Sequence, residues 1–195
     1  MIADRPRFHM ENGALTNTWS VHPDTLRFIY SLLSHGSTTL ETGCGQTTVV
    51  FAIAGAHHTS VMPDDGEAER VRRYCAKLGV AKNVAFVLES SDVALPRDAR
   101  RPTPLDFVLI DGAHAFPGPI LDWHYTARRL RIGGILAIDD YRMPSVHILH
   151  TFLSGEDEWE TLQIVQNTAF FRKLGEPKAL VHWNGQNINA SYPGY

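Results

Sequence analysis

Residues 38–48 of the 195-residue chain read TTLETGCGQTT. A short strand-like run, Ser37 to Thr42, enters two glycines set one residue apart, Gly43 and Gly45, and the chain continues as a helical stretch from Thr47 to Gly55. Glycine lets the backbone turn sharply and approach a ligand closely. The first turn of the following helix offers N–H groups that no helical carbonyl satisfies. By itself the turn reads equally well as a tight connection without a ligand, so its neighbours decide its meaning.

Outward from this turn, helix and strand patterns alternate. His22 to Ser34 predicts a helix with Leu26, Ile29, Tyr30 and Leu33 on one stripe. His58 to Met62 is strand-like, and Asp65 to Gly79 is amphipathic, with Ala68, Val71, Cys75 and Leu78 on one face. Asn83 to Leu88 and Leu105 to Ile110 read as buried strands. Pro119 to Arg131 reads as a helix with Ile120, Trp123, Ala127 and Leu130 inward. A strand at Ile135 to Ile138 and a helix at Pro144 to Leu153 follow, then two runs, Trp159 to Val165 and Ala169 to Leu174, with the look of a hairpin. Such alternation predicts a doubly wound α/β fold around a mostly parallel sheet. Ligands of these sheets bind beyond the carboxyl ends of the strands.

Composition narrows the classes without choosing among them. Apolar residues make up 44% and charged residues 20%, so collagen-like, disordered and coiled-coil readings drop out. Eighteen basic against twenty-one acidic side chains leave a net charge of −3, poor support for a nucleic-acid partner. Two cysteines, Cys44 and Cys75, are too few for a disulfide framework or a cysteine zinc site. No signal-peptide core is visible, and the longest apolar run, Val49 to Ala56, is too short to cross a membrane. A cytoplasmic, membrane-independent protein is expected. Residues 1–18 and 176–195 are polar extensions of a single domain, expected to run over the surface. Trp183 and the two tyrosines of the tail would close over a substrate or pack at an edge.

A dinucleotide fingerprint needs a third glycine where this chain has Thr48, which disfavours a nicotinamide cofactor. An acid two residues before the first glycine suits another class. With Glu41, Gly43 and Gly45 in place, the sequence resembles the class I S-adenosylmethionine-dependent methyltransferases, closest to the small bacterial relatives of catechol O-methyltransferase. The resemblance covers roughly Leu26 to Leu174. It implies a seven-stranded sheet closed by an antiparallel hairpin, with Glu41, Gly43, Gly45 and Thr47 around the methionine part of the cofactor. Ser91 and Asp92, followed in register by Leu95 and Pro96, match the residues that meet the adenine in that branch. Ser91 reads equally as a cap of the helix that follows.

The second strand end departs from the pattern. An acid that accepts both ribose hydroxyls is expected there, and Met62 stands in its place. Thioether sulfur is a weak acceptor, so either Asp64 or Asp65 reaches the ribose or binding is weak or lost. The second outcome defines the alternative function: a non-catalytic relative of the fold that binds a metabolite or partner.

The stretch 105–140 carries the chemistry. Asp111 ends one strand, and Asp139 and Asp140 end the next. Neighbouring strands lie about 4.8 Å apart, so the three carboxylates can converge. Oxygen-only ligands favour magnesium, calcium or manganese. In the resembled branch the corresponding residues are Asp, Asp and Asn and hold magnesium. The resemblance also puts Asp111 beside the cofactor and His114 where that branch has its lysine base. Neutral imidazole does such work near pH 7. A metal-free acid cluster and a surface or Asp140-orienting His114 are the competing readings. The expected activity is methyl transfer to a hydroxyl oxygen of a small molecule, with divalent-metal assistance. The base amino-methyltransferase motif is absent, because Asp111-Gly112-Ala113-His114 stands there. His147 and His150 have metal-capable spacing without a third ligand, and the pair His57–His58 reads as an exposed turn.

Overall fold

Parallel strands need crossovers, and the chain supplies a helix for each one. The protein is described by a computed structural model over residues 5–100, 103–176 and 183–190. After a small hairpin of β1 (His9–Glu11) and β2 (Ala14–Thr16) come α1 (Pro23–Leu32), β3 (Thr38–Thr42), α2 (Gln46–Ile53), β4 (His57–Val61) and α3 (Asp65–Lys77). Then follow β5 (Val84–Val87), α4 (Ser91–Asp98), β6 (Leu105–Ile110), α5 (Gly118–Thr126), β7 (Leu130–Ile138) and α6 (Pro144–Gly155), and the sheet closes with β8 (Trp159–Val165) and β9 (Thr168–Lys173). Its order is β5-β4-β3-β6-β7-β9-β8, and β9 is antiparallel to both of its neighbours. This is the Rossmann-like sheet of class I methyltransferases. The order reverses at β3, so the crevice between β3 and β6 is the switch point.

Period-two alternation divides the core between the two faces. Val108 and Ile110 face α4, α5 and α6 with Leu95, Trp123, Leu149 and Phe171. Phe107 and Leu109 face α1 and α2 with Ile29, Phe51 and Phe170. Both faces of β6 are therefore apolar from residue 107 to 110, which accounts for the hydrophobic run there. No helix among the described residues is long and apolar enough to cross a membrane.

Register sets the carboxyl edge. Thr42 lies opposite Val61 and Ile110, and Ile110 lies opposite Ile138. The next hydrogen bonds run from Gly43 N–H to Val61 O (2.9 Å), Met62 N–H to Val87 O (3.0 Å), Asp111 N–H to Thr42 O (3.2 Å) and Asp139 N–H to Ile110 O (3.0 Å). Gly43, Met62, Asp111 and Asp139 thus form one row just past the paired strands.

The structure corrects several expectations. The N-terminal stretch does not merely run over the surface. Phe8 is buried in one apolar cluster with Cys44, Met62 and Ala68, and edges onto Tyr74 at 5.6 Å. Gln46 donates to Pro6 O (3.0 Å) and Arg70 to Phe8 O (2.5 Å), fixing the segment. One aromatic ring anchors a stretch whose polar composition hides it. The α5 helix stops at Thr126 rather than Arg131, because Leu130 already pairs with Leu105 and β7 passes an irregularity before Ile135. Gly133 adopts a positive φ of 80° within that strand. The helix turn expected after β5 is a full helix, α4, which continues through Pro96 to Asp98. Of the C-terminal tail, residues 177–182 and 191–195, both tyrosines included, lie outside the described residues.

Gly43 has a φ of +92°, and a Cβ there would fall on the carbonyl oxygen of Asp111. Gly43→Ala combines left-handed strain with a backbone clash. It is expected to cost about 3 kcal/mol of stability, read from urea unfolding; a loss under 1 kcal/mol would contradict this packing.

Candidate functional site

A cleft of about 820 Å³ opens over the carboxyl edge of the sheet. Its floor and walls include Gly43, Cys44, Met62, Asp64, Ser91, Asp92, Asp111, His114, Asp139 and Asp140. Most of the residues expected to bind cofactor, metal or substrate are therefore gathered in one place. Three others stand behind it.

Glu41 is 1% exposed and does not line the cleft. Its Oε2 accepts from the Thr47 hydroxyl at 2.6 Å, and its Oε1 accepts from the Thr48 hydroxyl. His58 Nε2 lies 3.1 Å from the same Oε1, while Nδ1 lies 2.8 Å from Thr39 Oγ1. An imidazole that donates from Nε2 accepts the threonine hydroxyl at Nδ1, so both ring nitrogens are satisfied. The ring stacks on Phe51 at 4.4 Å. Contrary to the expected exposed turn, His58 is buried on β4, because its side chain points toward α2 and only His57 is exposed. Glu41 and Thr47 thus build the turn. Gly45 is absent from the lining as well, and His9 stands over it, with Nε2 3.3 Å from where a Cβ would be.

At the second strand end, Met62 is buried and apolar. Asp64 is the N-cap of α3, its Oδ1 accepting from Glu67 N–H at 2.9 Å. At the third, Ser90 rather than Ser91 is the N-cap of α4. Ser91 and Asp92 form its first turn and face the cleft.

The acids on the row carry excess negative charge. Burial holds the Asp111 carboxyl well above the usual carboxylate range, and Asp139, Glu41 and Asp140 push it further. Burial also raises Asp139, opposed by the Thr168 hydroxyl that donates to its Oδ1. Asp140 sits at a φ of 50°, a conformation aspartate tolerates, and its Oδ1 accepts from the Asn167 amide. His114 Nε2 lies 3.9 Å from Asp111 Oδ1 and 3.8 Å from Asp140 Oδ2, too far for a hydrogen bond. That nitrogen is buried and has no partner. The Ser145 hydroxyl fixes the backbone here by donating to His114 O at 2.5 Å. No three metal-capable side chains close on a common point among the described residues. His147 and His150 stack on each other at 5.4 Å in α6, without a third ligand.

Sequence reasoning missed Asp122. It is 1% exposed, lines the cleft from α5, and neither carboxylate oxygen has a hydrogen-bond partner. A signal was present: Pro119, Asp122, Trp123 and Thr126 are the buried stripe of α5, offset from the expected one. Trp123 is core, as expected.

With this geometry in hand, the comparisons fall into place. A methyltransferase-domain family model matches residues 40–141, more than half of the chain, and the protein belongs to that family. By family and fold it is a class I, S-adenosylmethionine-dependent methyltransferase. Among curated proteins no match is found. Solved structures with a similar fold include the O-methyltransferase TomG from Streptomyces achromogenes, involved in tomaymycin synthesis and bound to S-adenosylmethionine. Identity is 21%, covering 80% of this chain and 82% of that one, with a TM-score of 0.66. The O-methyltransferase from Bacillus cereus, in complex with S-adenosylhomocysteine, is 14% identical and covers 81% and 84%, with a TM-score of 0.68. An rRNA methylase from Streptococcus thermophilus is 16% identical and covers 80% and 99%, with a TM-score of 0.62. At these identities the likeness is one of fold.

Burial raises the Asp122 carboxyl, with the Ser91 and Thr42 hydroxyls easing the cost of ionisation. Its folded-state value stands above the unfolded value of about 3.9. The stabilising contribution is complete below the unfolded value and is lost as pH rises through the folded one. Asp122→Asn has no such proton, so its unfolding temperature should gain on wild type as pH rises from about 4 towards neutrality. A difference that stays constant across that range would contradict the assignment.

Proposed function

We propose that the protein methylates a hydroxyl oxygen of a small molecule, and that His114 takes up the hydroxyl proton. The observation that carries this reading is the His114 nitrogen: buried, unpartnered and set between the carboxylates of Asp111 and Asp140. A base in that position is free to accept a proton.

The cleft fits an adenosyl sulfonium in charge and shape. Gly43 brings the backbone close, and the unpaired acids of the wall suit a ligand with an ammonium and a sulfonium. When bound, the cofactor supplies an electrophilic methyl group. The chain's own part is to hold donor and acceptor in line and to exclude water, which accounts for much of the rate gain in such transfers. Ser91 and Asp92 from the first turn of α4 and Asp111 from the end of β6 are the side chains that would position it, with Asp64 at the rim.

Asp111, Asp139 and Asp140 do not close on a common point, and only if drawn together would this oxygen-only set suit a hard divalent cation such as magnesium. These residues would hold it, and it would lower the pKa of an acceptor hydroxyl. Thr168 holds Oδ1 of Asp139 and Asn167 holds Oδ1 of Asp140. The reading as a non-catalytic relative rests on Met62 alone, and a second carboxylate stands in the same wall.

Calorimetry with S-adenosylhomocysteine tests the cofactor, and transfer of a labelled methyl group to a panel of hydroxylated small molecules tests the acceptor. His114→Gln should lower kcat by about 10²- to 10⁴-fold and leave the affinity for S-adenosylhomocysteine unchanged; a variant with wild-type kcat would remove the base assignment. For the metal, manganese binding followed by loss of the free-ion electron paramagnetic resonance signal should be abolished by Asp139→Asn. Equal binding by that variant, or none by wild type, would remove the metal from the mechanism.

A further inference from the structure

An adenosyl ligand brings a ribose with two adjacent hydroxyls, which want a carboxylate. In doubly wound sheets that acid commonly stands past the second strand, about twenty residues after the glycine turn. Here that place is Met62, in the row with Gly43 and Asp111, and a thioether does not take two hydroxyls. We infer that Glu67, reaching into the cleft from the first turn of α3, is the acceptor of the ribose hydroxyls, held in place by His9 of the N-terminal strand. The inference rests on the cofactor reading above.

Position selects Glu67 over its neighbours. It lines the cleft together with Met62 and Cys44, and its side chain is 15% exposed. Oε1 lies 2.6 Å from His9 Nδ1 and 3.8 Å from Cys44 Sγ, in the glycine turn itself. Oε2 has no hydrogen-bond partner among the described residues and remains for a ligand. Asp64, by contrast, is exposed and has one oxygen committed to capping α3. Asp65 does not line the cleft.

The N-terminal segment makes the exchange possible. Phe8 joins the apolar cluster that contains Met62 and Cys44, so an apolar residue at the strand end is well housed. The next residue, His9, delivers its ring to Glu67. A polar strand end has been traded for an apolar one, and the carboxylate moved one helical turn along α3. Glu67 is a binding residue in this scheme, and His9 is a positioning residue.

The test is a binding cycle by calorimetry. Wild type and Glu67→Leu are each titrated with S-adenosylhomocysteine and with its 2′,3′-dideoxy analogue. Wild type should bind the dideoxy analogue about ten- to a hundredfold more weakly, the loss expected when hydrogen bonds to a charged group go. Glu67→Leu should bind S-adenosylhomocysteine with a similar loss, and should bind the two ligands within about twofold of each other. Glu67→Gln, which keeps the shape of the side chain, should fall between. Equal affinity of wild type for the two ligands would overturn the inference without any variant. So would a Glu67→Leu protein that discriminates between them as strongly as wild type. Failure of wild type to bind S-adenosylhomocysteine at all would overturn the cofactor reading along with it, a result distinct from either of the others.

Discussion

The carboxylate of Glu41 is enclosed by protein and held by three side chains, Thr47, Thr48 and His58. An isolated charge in such a place would be costly, and each donor offsets part of that cost. The donors come from α2 and β4, so one group ties the first strand, the glycine turn, the helix after it and the neighbouring strand together. Gly43 can then sit against the carbonyl of Asp111 without room for a side chain. The approach of these two backbones closes the switch point, and the cleft takes its shape from it.

Sheet register carries that constraint sideways. With Thr42, Val61, Ile110 and Ile138 aligned, the next residues of four strands present themselves at one level. Two of those residues are acids and one is methionine. The acids repel one another and resist ionisation, a state that a cation, a proton or a cationic ligand would relieve. Asp140 follows at once in a left-handed conformation that turns the chain toward α6. Topology therefore gathers acids whose ionisation a bound cation would favour.

Much of this was legible in the residues. Strands β6 and β8 begin and end where their patterns predict, because strand-forming composition and a turn signal are local properties. The strand-end acids were legible for the same reason: each follows its strand directly in the chain. What escaped were residues that reach the site through tertiary packing. Phe8 and His9 belong to a stretch whose average composition is polar, and averaging conceals a single anchoring ring. His58 reads as a surface histidine until β4 turns its side chain toward α2. Asp122 fell on a helical stripe with a periodicity shared by two neighbouring faces, and only packing against α4 chooses between them. Glu67 lies off the apolar stripe of an amphipathic helix, and nothing in its spacing reveals that the first turn abuts the glycine loop.

The acids at the end of β7 receive their orientation from much later in the chain. Thr168 and Asn167 lie at the start of β9, between 27 and 29 positions beyond the carboxylates they hold. Since β9 inserts between β7 and β8, the hairpin both finishes the sheet and aims its chemistry. During synthesis, a nascent chain that has emerged only as far as α6 possesses every one of these acids and none of their alignment. The hydrogen bonds that align these acids thus arrive with one of the last strands to be made.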